Sequence, residues 1–299
     1  MEILLMQSLD SLIHRQAAVR SHDAYLSSPY DSVKHSTYFA VYDHVFSAHV
    51  GRGITFVEVG VLNGGSLFMW RALFGPDARI IGIDLNPEAK RWEAEGFEIH
   101  IGSQSDPAFW ETFFAGVGPI DILLDDGGHT FEQQIITTDC VLPHVRDGGM
   151  LVVEDTHTSY LARFGGPSRH SFVSYAKNRV DGVNHRFEET KKAGKAFDDT
   201  VFGVRFYESF VVFEVNRALC AIESRRVHNG GVSFNAKDFR YADAPSLEAA
   251  GATSGLRAML KNVPVAGAVL RKAAGAARRM RRALVNQKRN AALARYFRF

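Results

Sequence analysis

Two acid pairs are the first residues that suggest chemistry. Asp125-Asp126 opens the run Asp125-Asp126-Gly127-Gly128-His129, and Glu154-Asp155 opens Glu154-Asp155-Thr156-His157. Each pair lies at the end of a short apolar run of the kind that forms a buried strand. Four carboxylates gathered at one place repel one another unless a cation sits among them. All-oxygen ligation suits a hard ion, and Mg²⁺ takes few protein carboxylates together with water and substrate oxygens. Asp126, Glu154 and Asp155 are therefore the expected Mg²⁺ ligands. Asp125 is assigned instead to capping or to a bound cofactor. Histidine is the side-chain type best suited to proton transfer near neutral pH, so His129, three residues after Asp126, can take a proton from a hydroxyl that a metal has acidified. It is the expected general base, with His157 as its competitor and a purely structural histidine as the alternative.

A second constellation lies upstream. The run Glu58-Val59-Gly60-Val61-Leu62-Asn63-Gly64-Gly65-Ser66 reads as the end of a strand, a tight glycine turn and the start of a helix. Such a turn lets a ligand approach the backbone and offers it the N–H groups of a helix N-terminus. On its own it is a weak signal. The next strand-like run ends in Asp84, about 20 residues on, where an acid can accept both hydroxyls of a ribose. This pair of features implies an adenosine-bearing cofactor. Glu58 within the turn would repel a pyrophosphate and suit the ammonium and sulfonium of S-adenosylmethionine. Gly60, Gly64, Ser66, Glu58 and Asp84 are the expected cofactor contacts. Ser103, Gln104 and Asp106 after the third strand are candidates for the adenine edge, with Ser105 or Asp106 equally able to cap a helix.

The elements that must position these residues alternate. Strand-like runs at 54–59, 78–84, 97–101, 120–125 and 149–154 are separated by helical segments at 66–73, 87–95, 106–114 and 131–142. This pattern implies βαβ units and a parallel, doubly wound sheet. In such sheets ligands bind outside the carboxyl ends of the strands, where both acid pairs and the glycine turn fall. Residues 156–200 read as a looser stretch. Runs at 200–207 and 210–215 flank Glu208-Ser209 as an antiparallel hairpin. The expected fold is α/β: a Rossmann-like methyltransferase sheet of seven strands, mostly parallel, ending in that hairpin. Tyr38, Phe39, Tyr42, Val45 and Phe46 recur at helical spacing before it. The expected division is a helical extension over 1–50, a methyltransferase domain over 51–220, a linker over 221–254 and a basic helical tail over 255–299.

At these motifs the chain resembles the metal-dependent sugar O-methyltransferases of macrolide and related antibiotic biosynthesis, the mycinamicin and macrocin type, and their cephalosporin hydroxylase-like relatives. The residues carrying the resemblance are 58–66, Gly102-Ser103-Gln104-Ser105-Asp106, 125–129, 154–160 with Phe164-Gly165-Gly166, and 204–214. It implies Mg²⁺ on Asp126, Glu154 and Asp155, a base at His129, a hydroxyl on a sugar of a glycoside or glycan as substrate, and assembly of subunits through N-terminal helices. The basic tail lies outside the pattern.

Composition bounds the rest. The net charge of +2 conceals an asymmetry: 12 of the 35 Lys+Arg fall in 255–299, which has no Asp or Glu, so the remainder carries 33 acidic against 23 basic residues. Basic tails meet polyanions or anionic membranes. Leu256, Met259, Leu260 and Val263 lie at helical spacing before Pro264. After it Val269, Leu270, Ala273, Ala277, Met280 and Leu284 fall on one face, roughly opposite Arg271, Arg278, Arg282 and Arg289. Such a helix can lie in a membrane interface or pack on protein. The acidic body and the scarcity of aromatics in the tail disfavour a nucleic-acid methyltransferase. The intact acid cluster disfavours a non-catalytic binding protein, and Glu58 disfavours a dehydrogenase. Two cysteines, a start unlike a signal peptide and the lack of a long apolar run lead to the expectation of a cytoplasmic protein, peripheral to the inner membrane face if the tail binds there.

Overall fold

The computed structural model describes residues 20–187, 190, 198–232 and scattered positions from 234 to 297. Residues 1–225 form one compact unit and 226–299 a second.

The first unit is built on β1 (Thr55–Val59), β2 (Arg79–Asp84), β3 (Glu98–Ile101), β4 (Ile120–Asp125), β5 (Val145–Val153), β6 (Val201–Tyr207) and β7 (Phe210–Val215). The strand order is β3-β2-β1-β4-β5-β7-β6. The first five strands run parallel, and β7 joins β5 antiparallel, with Val152 opposite Val212. Every residue of β1 is buried, as a strand covered on both faces requires. Side chains alternate between the faces. Phe56, Leu124, Val152 and Val212 enter one core, while Val57, Leu123, Leu151 and Phe213 enter the other.

Among the described residues, six helices of seven residues or more pack around the sheet: α1 (Arg20–Leu26), α2 (Tyr38–Phe46), α3 (Gly65–Phe74), α4 (Pro107–Val117), α5 (Phe131–Val141) and α6 (Phe172–Asn184). The first core takes Tyr42 and Phe46 of α2 with Trp70 and Phe74 of α3, and the second takes Trp110, Phe113 and Phe172 of α4 and α6. The N-terminal helices therefore share a core with the sheet. Three local readings need correction. The looser stretch holds α6, whose Ser171 cap accepts from the Ser174 N–H and whose Phe172, Val173 and Ala176 are buried. Residues Pro87–Glu95 wind as a 3₁₀ helix, closed by Gly96 in the left-handed region. Strand β5 starts at Val145, ahead of a bulge between its pairings with Ile120 and Ile122. A Cβ on Gly149 within that bulge would lie 2.2 Å from the Asp121 carbonyl oxygen, so glycine there marks a close approach rather than the start of the strand.

In the second unit, Met280 and Leu284 are helical and exposed. Residues 241–275, with much of the expected amphipathic pattern, lie outside the described residues.

Candidate functional site

The carboxyl ends of β1, β2, β4 and β5 surround a cleft of about 920 Å³. Its floor is the turn between β1 and α3. Gly60 has φ +92°, and a Cβ there would meet the Asp126 carbonyl oxygen at 2.2 Å. Gly64 has φ +79°, and its Cβ would strike the Trp92 ring at 2.2 Å. Only glycine meets both demands, so these two residues bring the turn against the second site and against an aromatic wall. Asp84 lines the cleft at the end of β2, where its Oδ2 accepts from the Val61 and Leu62 N–H groups at 2.8 and 3.1 Å. Ser66, Gln104, Asp126, His129 and Asp155 also line it.

Several expected cofactor residues do different work. Glu58 is fully buried and does not line the cleft: Ser66 Oγ donates to its Oε2 at 2.6 Å and Trp70 Nε1 to its Oε1 at 2.9 Å. Burial pushes its carboxyl up to about 7. Asp125 is likewise buried, pushed up to about 6 by burial, and accepts from Gln104 Nε2 at 2.8 Å. Gln104 reaches the cleft, but its amide is engaged by Asp125, Thr137 and the Gly128 N–H. Ser103 accepts from the Ser105 N–H, and Asp106 caps α4 through the Ala108 N–H. The segment 102–106 thus supports the loop 125–129, and neither Ser103 nor Asp106 lines the cleft. The short spacing from strand to helix made local capping the stronger use of these polar groups.

Asp126, His129 and Asp155 converge. One ligand atom from each lies within 4.8 Å of the other two. His129 Nε2 is 3.3 Å from Asp155 Oδ2. Both residues have left-handed backbones, φ +59° for His129 and +54° for Asp155, a strained conformation that persists only where surrounding contacts enforce it. Thr158 Oγ1 donates to the His129 carbonyl at 3.1 Å, and Tyr38 OH donates to Asp155 Oδ1. His157 lies one step back: its Nδ1 contacts Ser209 Oγ at 2.7 Å and stays 3.8 Å from Asp155.

Glu154 departs from the expected trio. It is fully buried and faces the N-terminal segment, with Tyr42 OH donating to Oε1 and Lys34 Nζ donating to Oε2 at 3.2 Å. Lys34 Nζ also lies 2.5 Å from Asp126 Oδ2, with its side chain 2% exposed. Burial alone would lower the Lys34 ammonium, but Asp126 and Glu154 raise it well above its ordinary range. Burial and the Asp126 charge in turn push the Glu154 carboxyl well up. One ammonium thus faces the buried Glu154 carboxyl and the half-buried Asp126 carboxylate, with Asp155 close by. That negative excess, and the oxygen-rich donor set, fit a further hard cation.

Sequence reasoning missed Lys34, Tyr42, Tyr30 and Trp92. Tyr30 and Trp92 line the cleft and pack edge to face, with ring centres 4.5 Å apart. The spacing of Tyr38 and Tyr42 on one helical face was the only available hint, because it aims two hydroxyls in one direction.

Residues 57–156 match the model of the methyltransferase domain family. In sequence the chain is 32% identical over 191 residues to the 8-demethyl-8-alpha-L-rhamnosyl tetracenomycin-C 2′-O-methyltransferase of Streptomyces olivaceus, covering 60% of this chain and 50% of that protein. It is 30% identical over 190 residues to the mycinamicin VI 2″-O-methyltransferase of Micromonospora griseorubida, covering 59% and 47%. The chain thus spans about half the length of these curated relatives. In structure it resembles the MycE methyltransferase of the mycinamycin pathway, solved in complex with Mg, SAH and mycinamycin VI. The TM-score is 0.56 and the identity 25%, over 74% of this chain and 58% of that one. Over about 60% of its length the chain is thus similar to sugar O-methyltransferases of the mycinamicin, macrocin and tetracenomycin type, and residues 57–156 match a methyltransferase domain within a Rossmann-like fold.

Proposed function

We propose that the protein is an S-adenosylmethionine-dependent, Mg²⁺-dependent O-methyltransferase acting on a sugar hydroxyl of a glycoside or glycan. The observation that carries this reading is the convergence of Asp126, His129 and Asp155 in the same cleft as Gly60, Ser66 and Asp84. A place for a methyl donor and a place for proton removal from an acceptor thereby share one wall. The names of the relatives supply the acceptor class.

Asp126 and Asp155 would hold the cation, which supplies positive charge that acidifies the acceptor hydroxyl. Gly60 and Gly64 let the donor approach the backbone, and Asp84 receives its ribose. His129 takes the acceptor proton at Nε2, and Asp155 stabilises the imidazolium at 3.3 Å. S-adenosylmethionine held in this cleft would supply the methyl group and leave as S-adenosylhomocysteine, and the part of the protein would be chiefly to align the freed oxygen with it. The test is release of S-adenosylhomocysteine with rhamnosylated tetracenomycin-C as probe acceptor, with and without EDTA. Mg²⁺-dependent release is expected; full activity in EDTA would remove the metal from the mechanism.

The same proposal extends to partners and location. Among the described residues no helix is long and apolar enough to cross a membrane. The Arg-rich segment 255–299 docks on an anionic membrane surface, which places the enzyme at the cytoplasmic face and makes a lipid-linked glycan a candidate acceptor. Helical, exposed Met280 and Leu284, spaced i,i+4, support this reading. Self-association through the N-terminal helices belongs to the same proposal, and sedimentation of the full chain checks it.

A further inference from the structure

Ser209 lies beside the site, and the mechanism above leaves it unused. It is the second residue of the two-residue turn between β6 and β7, whose flanking residues Tyr207 and Phe210 pair. Its φ is +66°. Glycine or asparagine is the usual occupant of such a turn position, because a Cβ there is strained. A serine that persists in it points to a use for its side chain. Three groups around the acid cluster meet this residue. The Thr156 N–H donates to its carbonyl at 3.1 Å. Its Oγ lies 2.7 Å from Tyr38 OH and 2.7 Å from His157 Nδ1. Tyr38 in turn donates to Asp155 Oδ1. The Tyr38 ring is buried against Phe210, the residue after Ser209, with ring centres 4.5 Å apart.

Donors and acceptors fall into one order along this chain. An ionised carboxylate only accepts, so the Tyr38 proton points at Asp155. The Tyr38 oxygen then accepts the Ser209 hydroxyl, and the Ser209 oxygen accepts from His157 Nδ1–H. Every bond runs toward Asp155 Oδ1, while Oδ2 lies 3.3 Å from His129 Nε2.

We propose that Ser209 is a positioning residue for the cation and the base: acting through Tyr38, it fixes the Asp155 carboxylate, so that the antiparallel hairpin sets the geometry of a site built at the ends of parallel strands. The inference rests on the divalent-cation reading of Asp126 and Asp155. Asp155 follows β5 with a left-handed backbone, φ +54°, so the strand alone does not aim its side chain. Hydrogen bonds to a ligand carboxylate supply that aim.

The measurement is Mn²⁺ binding to the full chain by electron paramagnetic resonance, without S-adenosylmethionine or acceptor. Ser209→Gly removes the hydroxyl and relieves the backbone, whereas Ser209→Ala removes the hydroxyl and keeps the strain. Both should bind Mn²⁺ about tenfold more weakly than the wild type, and Tyr38→Phe about 10- to 100-fold more weakly, the usual range for groups that orient a metal ligand. Ser209→Gly combined with Tyr38→Phe should lose no more than Tyr38→Phe alone, because both cut one chain. Denaturant unfolding identifies the folded variants. Ser209→Gly suits the turn, so it keeps the test open if either of the others fails to fold. Wild-type affinity in Ser209→Gly overturns the proposal and leaves the metal reading standing, as do additive losses in the double variant. A loss in Ser209→Ala that Ser209→Gly does not share does the same, since it assigns the effect to the backbone of the turn. Absence of Mn²⁺ binding in the wild type, or binding unchanged in Asp126→Asn, overturns both.

Discussion

At the residue scale, position in the hydrogen-bond network separates groups that the sequence presents as alike. Two histidines follow the acid pairs, yet only His129 places a ring nitrogen 3.3 Å from Asp155 Oδ2 within the cleft, while His157 turns to Ser209. His129→Ala should lower kcat by about 10²- to 10⁴-fold, the usual contribution of a general base. Calorimetric affinity for S-adenosylhomocysteine should be unchanged, and a drop no larger than that of His157→Ala would dismiss His129 as the base. Glu58 makes a different prediction. Its carboxyl is raised from 4.5 to about 7 by burial, so the native state binds a proton that the unfolded chain has already released between those values. The associated stability is fully present below about pH 4.5 and is lost as pH rises through about 7. Glu58→Gln, which can keep partners in Ser66 and Trp70, should therefore gain stability over the wild type at pH 8 and not at pH 4.5. The difference is at most about 3 kcal/mol from a shift of this size. Denaturant unfolding at the two pH values checks it, and Asp125, shifted in the same direction, keeps some pH dependence in the variant.

At the element scale, the turn from β1 to α3 is where the two halves of the site meet. The Gly60 backbone lies against the Asp126 carbonyl and the Gly64 backbone against Trp92. Alanine at position 60 combines a disfavoured φ with a contact that backbone atoms must move to relieve. Gly60→Ala should reduce both S-adenosylhomocysteine and Mn²⁺ affinity, since the shift is shared by the turn and by Asp126. Loss of the first with the second intact would show that the turn and the acid cluster are independent. Elements also explain which motifs were readable. The residues Asp125 to His129 and Glu154 to His157 stand out because strands must end where apolar residues stop, and acids there have no apolar partner. The segment 102–106 misled because capping and ligand binding call for the same side chains. Helix α6 escaped notice because only Phe172, Val173 and Ala176 of its 13 residues are buried, leaving a weak apolar stripe in a polar stretch.

At the scale of the whole molecule, the acidic residues 1–254 and the basic segment 255–299 are opposite in charge. If the segment serves as an anchor, its contribution is to location rather than chemistry. Deleting 255–299 should abolish cosedimentation with phosphatidylserine vesicles and leave methyl transfer to a short soluble glycoside unchanged. Each basic residue near such a surface contributes about 1 kcal/mol, so the full-length protein should also detach as salt is raised. Vesicle binding that survives the deletion, or is absent before it, would end the membrane reading.

The strand runs, the terminal hairpin, the glycine turn and the two acid pairs with the histidine after the first were legible in the chain, because each depends on local periodicity or on residues that the end of a strand leaves exposed. Tertiary structure alone decided which acids share a point in space. Asp126 and Asp155 are brought within reach of one ion and His129 beside them, while Glu154, next to Asp155 in sequence, faces the core. Adjacent side chains diverge at the end of a strand, and only packing determines what each of them meets. What Glu154 meets is Lys34 and Tyr42, from 120 and 112 residues away. A contact across that distance leaves no local pattern, and it arises because α2 packs into the same core as the sheet and Lys34 reaches the acids from the segment just before it.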